Sequence, residues 1–317
     1  RWLLTPEASA LTNEQSAIAA GAHLESMSPS SAGTPPASRE RRGWAWLGLV
    51  PFLAFLGLFL LLPTVGVIRK AFIANDGSFT SDGFTSAITD ERPAFANSIK
   101  VSLITAAMGV VFGTTIAYAA ATARRPKWLR SAVSAFSGVA ANMGGIILAF
   151  LFFTLLGRQG LVTKILTDNG WNPYESGFSL NDFSGIMLVY MYFQIPLMVL
   201  VTLPAIDGLK TSWREASANL GGTTFTYWRR VGLPVLAPSM MGGFLLLFAN
   251  AYSAFATAYA LNTQANLVPI KISFFLQGDV TGRSPLPYAL ATWMIIFMAI
   301  SMGGYLILRK RAERWQR

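Results

Sequence analysis

The sequence predicts an all-α membrane protein with six transmembrane helices. Of its 317 residues, 53% are hydrophobic and only 13% are charged, whereas soluble domains carry roughly a quarter charged residues. Six stretches of 22 to 27 residues also contain no Asp, Glu, Lys or Arg. A chain of this composition is expected to expose much of its surface to lipid rather than to water.

Residues 1–38 are predicted to form a disordered cytoplasmic tail. They are rich in Ala, Ser, Thr and Gly, contain Pro35 and Pro36 in succession, and show no apolar periodicity. Such a segment cannot bury enough apolar surface to offset the conformational entropy lost on folding. The remainder, 39–317, is predicted to form one six-span membrane domain.

The six charge-free stretches are interpreted as the transmembrane helices. A hydrocarbon core about 30 Å thick takes about 20 helical residues to cross, and backbone within lipid must satisfy its own hydrogen bonds. No similarity between the first three and the last three spans is visible, which disfavours an inverted-repeat secondary transporter. The predicted spans are 44–68, 101–123, 132–157, 185–206, 235–261 and 286–308.

Charges between the spans alternate from one side of the membrane to the other. The side that holds the segments after spans two, four and six carries 16 basic and 4 acidic residues, against 8 and 8 opposite. By the positive-inside rule, both termini and the loop 207–234 are predicted to be cytoplasmic. This bias accounts for the net charge of +10, so no concentrated basic domain is left for a nucleic acid to bind.

The residue inventory excludes several kinds of chemistry. The chain has no Cys, and its one His, His23, lies in the predicted tail, so disulfides, thiolate zinc sites and His-ligated metals are not expected. No Gly-Lys dipeptide occurs, so the chain has no Walker A phosphate loop and is not expected to hydrolyse ATP. No catalytic residue, metal site or cofactor is therefore assigned to this chain.

The loop 207–234 is predicted to contain a short helix. Ser212 followed three residues later by Glu215 fits a capping box, which predicts a helix over 213–220. Gly221, followed by a second glycine, supplies the left-handed or flexible backbone that ends such a helix.

The predicted helix has one apolar face, formed by Trp213, Ala216 and Leu220 at helical spacing. Two interpretations are open. The face either rests on the bilayer surface or on the cytoplasmic ends of the protein's own spans, or it docks to a soluble partner.

This loop resembles the EAA loop of permease subunits from binding-protein-dependent ABC importers. The family pattern is Glu-Ala-Ala, three residues, Gly, nine residues, Ile, one residue, Leu-Pro, and every spacing matches. Ser217 replaces the second Ala and Val231 replaces Ile. Asn97-Ser98, the basic hairpin at 124–130 and the run 250–253 also look like that family.

The resemblance implies an ABC importer type I permease-like fold, in which residues 213–221 are the coupling helix that inserts into a cleft of an ATPase subunit. It further implies two ATPase subunits carrying ATP and Mg²⁺, a second permease subunit, and an extracytoplasmic solute-binding protein at a bacterial inner membrane. Within the family the chain looks most like polyamine permeases, with ferric-ion, phosphonate and sulfate systems as neighbours. The residues expected to couple to the ATPase are Trp213, Arg214, Glu215, Ala216, Ser217, Leu220, Gly221, Leu233 and Pro234.

An import path needs polar side chains within the spans. None of the candidates is ionisable near neutral pH, and a charged residue at mid-membrane would have favoured ion coupling. An ion-gradient-driven secondary transporter or channel is the alternative function. A membrane-embedded enzyme or scaffold is a third, although no cluster of carboxylates or His supports it. The possible path-lining residues are Tyr190, Gln194, Asn250, Tyr252, Ser253 and Tyr259.

Overall fold

The computed structural model describes residues 49–74, 76–123, 128–278 and 284–314, with side chains described as far as residue 310. All regular structure in these ranges is helical, apart from one isolated antiparallel bridge between Ile73 and Phe79. The predicted all-α class is confirmed. The predicted tail at 1–38 and residues 124–127 of the basic hairpin lie outside the described residues.

The helices are numbered here in chain order. They are α1 Val50–Leu56, α2 Leu62–Ala71, α3 Asp82–Thr89, α4 Arg92–Thr122, α5 Trp128–Asn142, α6 Gly145–Leu156, α7 Leu161–Asp168, α8 Phe183–Asp207, α9 Thr211–Asn219, α10 Thr224–Tyr227, α11 Leu233–Ser253, α12 Ala256–Leu261, α13 Val268–Gly278 and α14 Leu286–Arg314. π-Helical turns occur at Gly57–Leu61 and Trp228–Gly232.

The chain divides into two compact units after Leu61. In the described part of the first unit, α1 and the turn Gly57–Leu61, most of the large hydrophobic side chains are exposed. Outward-facing apolar side chains are expected of a helix whose solvent is lipid. The second unit begins at Leu62 and holds the other helices.

Six helical segments in the described ranges are long and apolar enough to cross a membrane, which confirms the predicted number. The second one starts nine residues before its predicted start at 101, because helix α4 continues through Lys100 and Arg92. A charge-free window marks only the apolar centre of such a helix. The six segments are Val50–Ala71, Arg92–Thr122, Gly145–Asp168, Phe183–Asp207, Thr224–Ser253 and Leu286–Lys310.

Two of the apolar stretches are interrupted rather than continuous. The stretch 132–157 forms α5 and α6, and Gly145, the first residue of α6, has a positive φ of 73°. The stretch 235–261 forms α11 and α12, with Ala254 in an extended conformation between them. The absence of charge predicts burial in lipid, but it does not indicate whether a helix is continuous.

Helices α4, α8 and α11 pack tightly around Met198, which is fully buried together with Leu247. A Cβ on Gly113 would lie 2.5 Å from the Met198 Cβ and 2.8 Å from the Ile195 carbonyl oxygen. The glycine therefore lets α4 and α8 approach to backbone contact, as small residues do between membrane helices. Helix α9 lies between α8 and α11 along the chain, and α12 follows α11. The packing of these three helices therefore positions α9 and the interruption of the fifth span, which are described below.

Candidate functional site

The helix predicted in the loop 207–234 is present as α9, Thr211–Asn219. Its N-cap is Lys210, with φ −70° and ψ 130°, and no side chain caps it. Ser212 therefore lies inside the first turn, and the predicted capping box with Glu215 is wrong. The reason is the preceding turn: the Gly208 N–H still bonds back into α8, which leaves Lys210 as the extended residue before the helix.

The end of α9 is where the sequence predicts it. The Gly221 N–H donates to the Ala218 carbonyl at 2.9 Å, and the Gly222 N–H donates to the Ser217 carbonyl at 2.8 Å. This pair of bonds is a Schellman motif. Gly221 has a φ of 74°, a left-handed conformation that costs other residues roughly 1–2 kcal/mol.

One side of α9 borders a surface groove of about 520 Å³, called the α9 groove below. Leu220, at the end of the helix, is 89% exposed, whereas Trp213 is half-buried. The apolar face thus packs only in part against its own chain. The groove is lined by Trp213, Ala216, Ser217, Leu220, Gly222, Thr226, Arg230, Val231 and Val235.

The motif that resembles the EAA loop ends at the base of the fifth span. Leu233 and Pro234 are the first two residues of α11, and the Leu233 N–H donates to the Trp228 carbonyl, so the helix continues into them from the π-helical turn. In the π-helical turn before them, the Trp228 ring meets Tyr118 edge-on at 5.0 Å between centroids, and a Cβ on Gly232 would lie 2.5 Å from that indole. A packed aromatic contact therefore joins the loop to α4.

The remaining predicted coupling residues, Arg214 and Glu215, are exposed on α9. Next to the loop, Arg130 and Asp207 form an ion pair that ties α5 to the end of α8. Both of its side chains are more than a third exposed. Surface pairs of this kind contribute little to stability.

The two span interruptions meet inside the membrane domain. The Gly145 N–H donates to the Thr257 hydroxyl at 2.8 Å, and the Tyr190 hydroxyl donates to the Ala254 carbonyl at 2.6 Å. These four residues are called the span junction below. Backbone groups freed by a helix break must find partners within the protein when lipid surrounds it, and here other helices supply them.

The predicted path-lining residues lie in different surroundings. Asn250 and Ser253 line a groove of about 450 Å³ between α11 and α14. Tyr190 and Tyr252 are buried beside a cavity of about 10 Å³, roughly the size that holds one water molecule. The other two are Gln194, which is buried and donates to the Leu247 carbonyl at 2.9 Å, and Tyr259, which packs on the Phe255 ring at 5.1 Å.

Two residues noted only for their family resemblance have a structural role. The Ser98 hydroxyl accepts a hydrogen bond from the Val268 N–H at 2.9 Å, and the Asn97 amide donates to the Asn266 carbonyl at 3.3 Å. They anchor the start of α13 on α4. The sequence marks these positions as polar within an apolar context, but their partners are about 170 residues away and cannot be inferred from spacing.

Within the described ranges, no group of three or more His, Asp or Glu side chains could hold a metal ion.

Comparison with known families gives one match that covers most of the membrane domain. Residues 109–314 match the family described as binding-protein-dependent transport system inner membrane component. This match confirms the family resemblance predicted from the loop.

Several curated permeases are similar over long stretches. A putative ferric transport system permease of Haemophilus influenzae is 22% identical over 84% of this chain and 43% of its own length. A spermidine/putrescine transport system permease of the same organism is 24% identical over 82% of this chain and 93% of its own. A probable sulfate transport permease of Prototheca wickerhamii is 26% identical over 55% and 65%. The chain thus spans less than half of the ferric relative and just under two thirds of the sulfate relative.

Two solved structures share the fold. A bacterial ABC transporter that imports the acidic polysaccharide alginate has a chain that superposes with a TM-score of 0.62 at 16% identity, covering 85% of this chain and 94% of the other. The same transporter type, in complex with an alginate pentasaccharide-bound periplasmic protein, gives a TM-score of 0.63 at 18% identity, covering 86% and 94%.

Proposed function

Because the chain belongs to the family of binding-protein-dependent transport system inner membrane components, we propose that it works as an ATP-driven permease subunit in which α9 receives the motion of a separate ATPase. The chain is a multi-pass membrane protein and an ABC importer permease, and this family of transport subunits is not a catalytic one.

The observation that best supports the coupling role is the exposed apolar surface at the end of α9. Leu220 is 89% exposed beside a groove of about 520 Å³, although the helix itself ends in a well-bonded Schellman motif. Burying one leucine side chain is worth about 1.5–3 kcal/mol. A rigid helix with such a face at one end is suited to insert into a cleft of a soluble subunit.

The connections of α9 explain how such an insertion moves the membrane helices. At its start, α9 follows α8 after a short turn in which the Gly208 N–H bonds back to Pro204. At its end, α10 and the π-helical turn lead directly into α11, with Trp228 packed against Tyr118 of α4. A displacement of α9 therefore reaches the ends of three spans through short and packed links.

The partners in this proposal follow from the family and the composition. Two ATPase subunits carry ATP and Mg²⁺, a second permease subunit completes the path, and an extracytoplasmic binding protein delivers the solute. The excess of 16 basic over 4 acidic residues on one side supports cytoplasmic termini and a cytoplasmic α9 in a bacterial inner membrane. Phosphate chemistry takes place on the ATPase chains.

The proposed solute is a polyamine or a similar small polar or charged molecule. The polyamine relative matches over 93% of its own length, which is the support for this choice among ferric, sulfate and polyamine systems. Asn250 and Ser253, in the groove between α11 and α14, are the polar side chains proposed to border the path. They offer hydrogen bonds without charge, so selection among solutes is left to the binding protein.

Co-purification with a matched pair of variants tests the coupling role. The tagged chain is expressed with its partner subunits, extracted gently, and analysed for bound ATPase and for ATP-dependent uptake in vesicles. Leu220→Glu should lose both, because a charge replaces the exposed apolar contact. Phe225→Glu is the control, since Phe225 is 72% exposed on the same loop and does not line the α9 groove. Equal ATPase recovery from both variants would contradict the proposal.

A further inference from the structure

A second cavity lies on the other side of α9, at the level where three spans end. It has a volume of about 330 Å³ and is bordered by Thr122, Asp207 and Thr224. These are the last residue of the Arg92–Thr122 span, the last of Phe183–Asp207 and the first of Thr224–Ser253. The cavity therefore lies at a membrane–water interface, and it is called the interfacial cavity below.

The charges that line the interfacial cavity leave it positive. Lys210 and Arg214 both border it, and neither forms an ion pair with another described residue. The one carboxylate in the lining, Asp207, is already paired with Arg130. Two basic side chains are thus available to an anion that enters between the spans.

The walls of the cavity suit a headgroup at the membrane surface. Tyr118 and Trp228 form an aromatic side, packed edge-on at 5.0 Å, and aromatic side chains of this type concentrate at headgroup level. Thr122 and Thr224 are exposed residues at the rim, and the Thr122 hydroxyl donates to the Tyr118 carbonyl at 2.7 Å. The Thr224 hydroxyl beside two cations matches a phosphodiester with polar substituents.

An apolar track leads from the cavity along α4. Thr122 lies eleven residues after Val111 and ten after Phe112, so the three residues fall on neighbouring positions of one helical face. Val111 is 60% exposed and Phe112 is 46% exposed in this chain. A headgroup held in the cavity would have room for its acyl chains along this face.

We propose that the interfacial cavity binds the phosphodiester headgroup of an anionic phospholipid, held by Lys210 and Arg214 directly behind α9. Basic pockets between membrane helices on the cytoplasmic side are suited to such headgroups. Only the placement of this face in the cytoplasm rests on the proposed function. The site makes the position of α9 sensitive to the lipid around the transporter.

The test measures lipid retained by the purified transporter, full chain with its partner subunits, by native mass spectrometry after exchange into defined lipids. Phosphatidylglycerol should be retained by the unmodified chain, and phosphatidylcholine should not. The double variant Lys210→Gln and Arg214→Gln should weaken phosphatidylglycerol binding on the order of tenfold. The matched double variant Arg229→Gln and Lys310→Gln removes two exposed cations that line neither this cavity nor the α9 groove, and it should retain the lipid.

A variant that leaves both basic side chains in place tests whether the space in the cavity is itself needed for lipid binding. Thr122→Trp fills the cavity without changing its charge and should lower retention by a similar factor. Equal phosphatidylglycerol retention by all variants, or equal retention of phosphatidylcholine, would overturn the proposal. Displacement of the lipid by excess inorganic phosphate would assign the cavity to free phosphate instead. Because the readout is lipid on this chain, it stands even if the ATPase fails to co-purify and the coupling role is wrong.

Discussion

The α9 groove and the span junction differ in where their backbone hydrogen bonds are made and in what they leave exposed. Helix α9 makes its own end bonds, at Gly221 and Gly222, yet leaves Leu220 exposed. The span junction breaks its own helices, yet the Gly145 N–H and the Ala254 carbonyl find partners on other segments. The end of α9 satisfies its backbone hydrogen bonds within the loop but leaves an apolar side chain exposed. The span junction leaves backbone groups unpaired within their own helices, and side chains of other helices pair with them. Changes in the first should therefore affect assembly, and changes in the second should affect stability.

The largest expected effect is at Gly221. Gly221→Asp places a side chain at a φ of 74° and a charge beside the α9 groove, so ATPase recovery and ATP-dependent uptake should be lost while the chain still inserts. Asn and Asp both tolerate left-handed backbone better than most residues, so Gly221→Asn, which lacks the charge, should retain most of the ATPase recovery and of the uptake. Co-purification and vesicle uptake measure this pair. A Gly221→Asp chain that unfolds early but still holds its ATPase would reverse the comparison.

A loss of stability without a loss of assembly is expected at Tyr190. Tyr190→Phe leaves the Ala254 carbonyl without its 2.6 Å donor and should lower the free energy of unfolding by about 1–3 kcal/mol. Tyr192→Phe is the control, because its hydroxyl only contacts the Met143 sulfur at 3.5 Å. Thermal unfolding of the purified chain in one detergent compares them. Equal shifts for the two variants would mean that the junction bond is not needed.

A smaller loss of stability is expected from the other hydrogen bond of the span junction, between Gly145 and Thr257. Thr257→Val removes the acceptor of the Gly145 N–H, and Thr257→Ser keeps it. The loss should be about 1 kcal/mol, near the lower end for a hydrogen bond, since Gly145 is only half-buried. The same unfolding measurement should rank serine above valine; the opposite order would show that the methyl group matters more than the hydroxyl.

The smallest effect is expected at the ion pair beside the loop. Arg130→Gln breaks the pair with Asp207, and both groups stay in contact with solvent, so the unfolding free energy should change by less than about 1 kcal/mol. A salt titration of the unfolding midpoint provides the check, because the small difference from the unmodified chain should vanish at high ionic strength. A large, salt-independent loss would mean that α5 is held to α8 mainly by this pair.

The parts of the molecule that were predictable depend on local chemistry. The number of spans follows from length and absence of charge, and the end of α9 follows from two glycines. The capping box at Ser212 was wrong although its residue types fit, because the turn that ends α8 places the N-cap at Lys210. Residue type specifies which caps are possible, but the position of the preceding helix decides which one forms.

The parts that were not predictable depend on distant segments. The junction bond of Tyr190 reaches 64 residues along the chain, and that of Gly145 reaches 112. Tyr190 is a polar residue in a predicted span, which marks it for a path or for a hydrogen bond without distinguishing them. In this chain the Tyr190 hydroxyl donates to the Ala254 carbonyl, where the fifth span is interrupted. The grooves around Asn250 and Leu220 likewise arise from packing that spacing alone does not encode.

The π-helical turn Trp228–Gly232 sets the angular phase of the fifth span. A π turn accommodates one residue more than an α turn, and each residue of an α-helix advances about 100°. The side chains of α11 are consequently rotated by about 100° from the directions that an uninterrupted α-helix continuing from α10 would give them. Asn250 and Ser253 face α14 because of this one additional residue, so removing it would swing them away while leaving every other residue type unchanged.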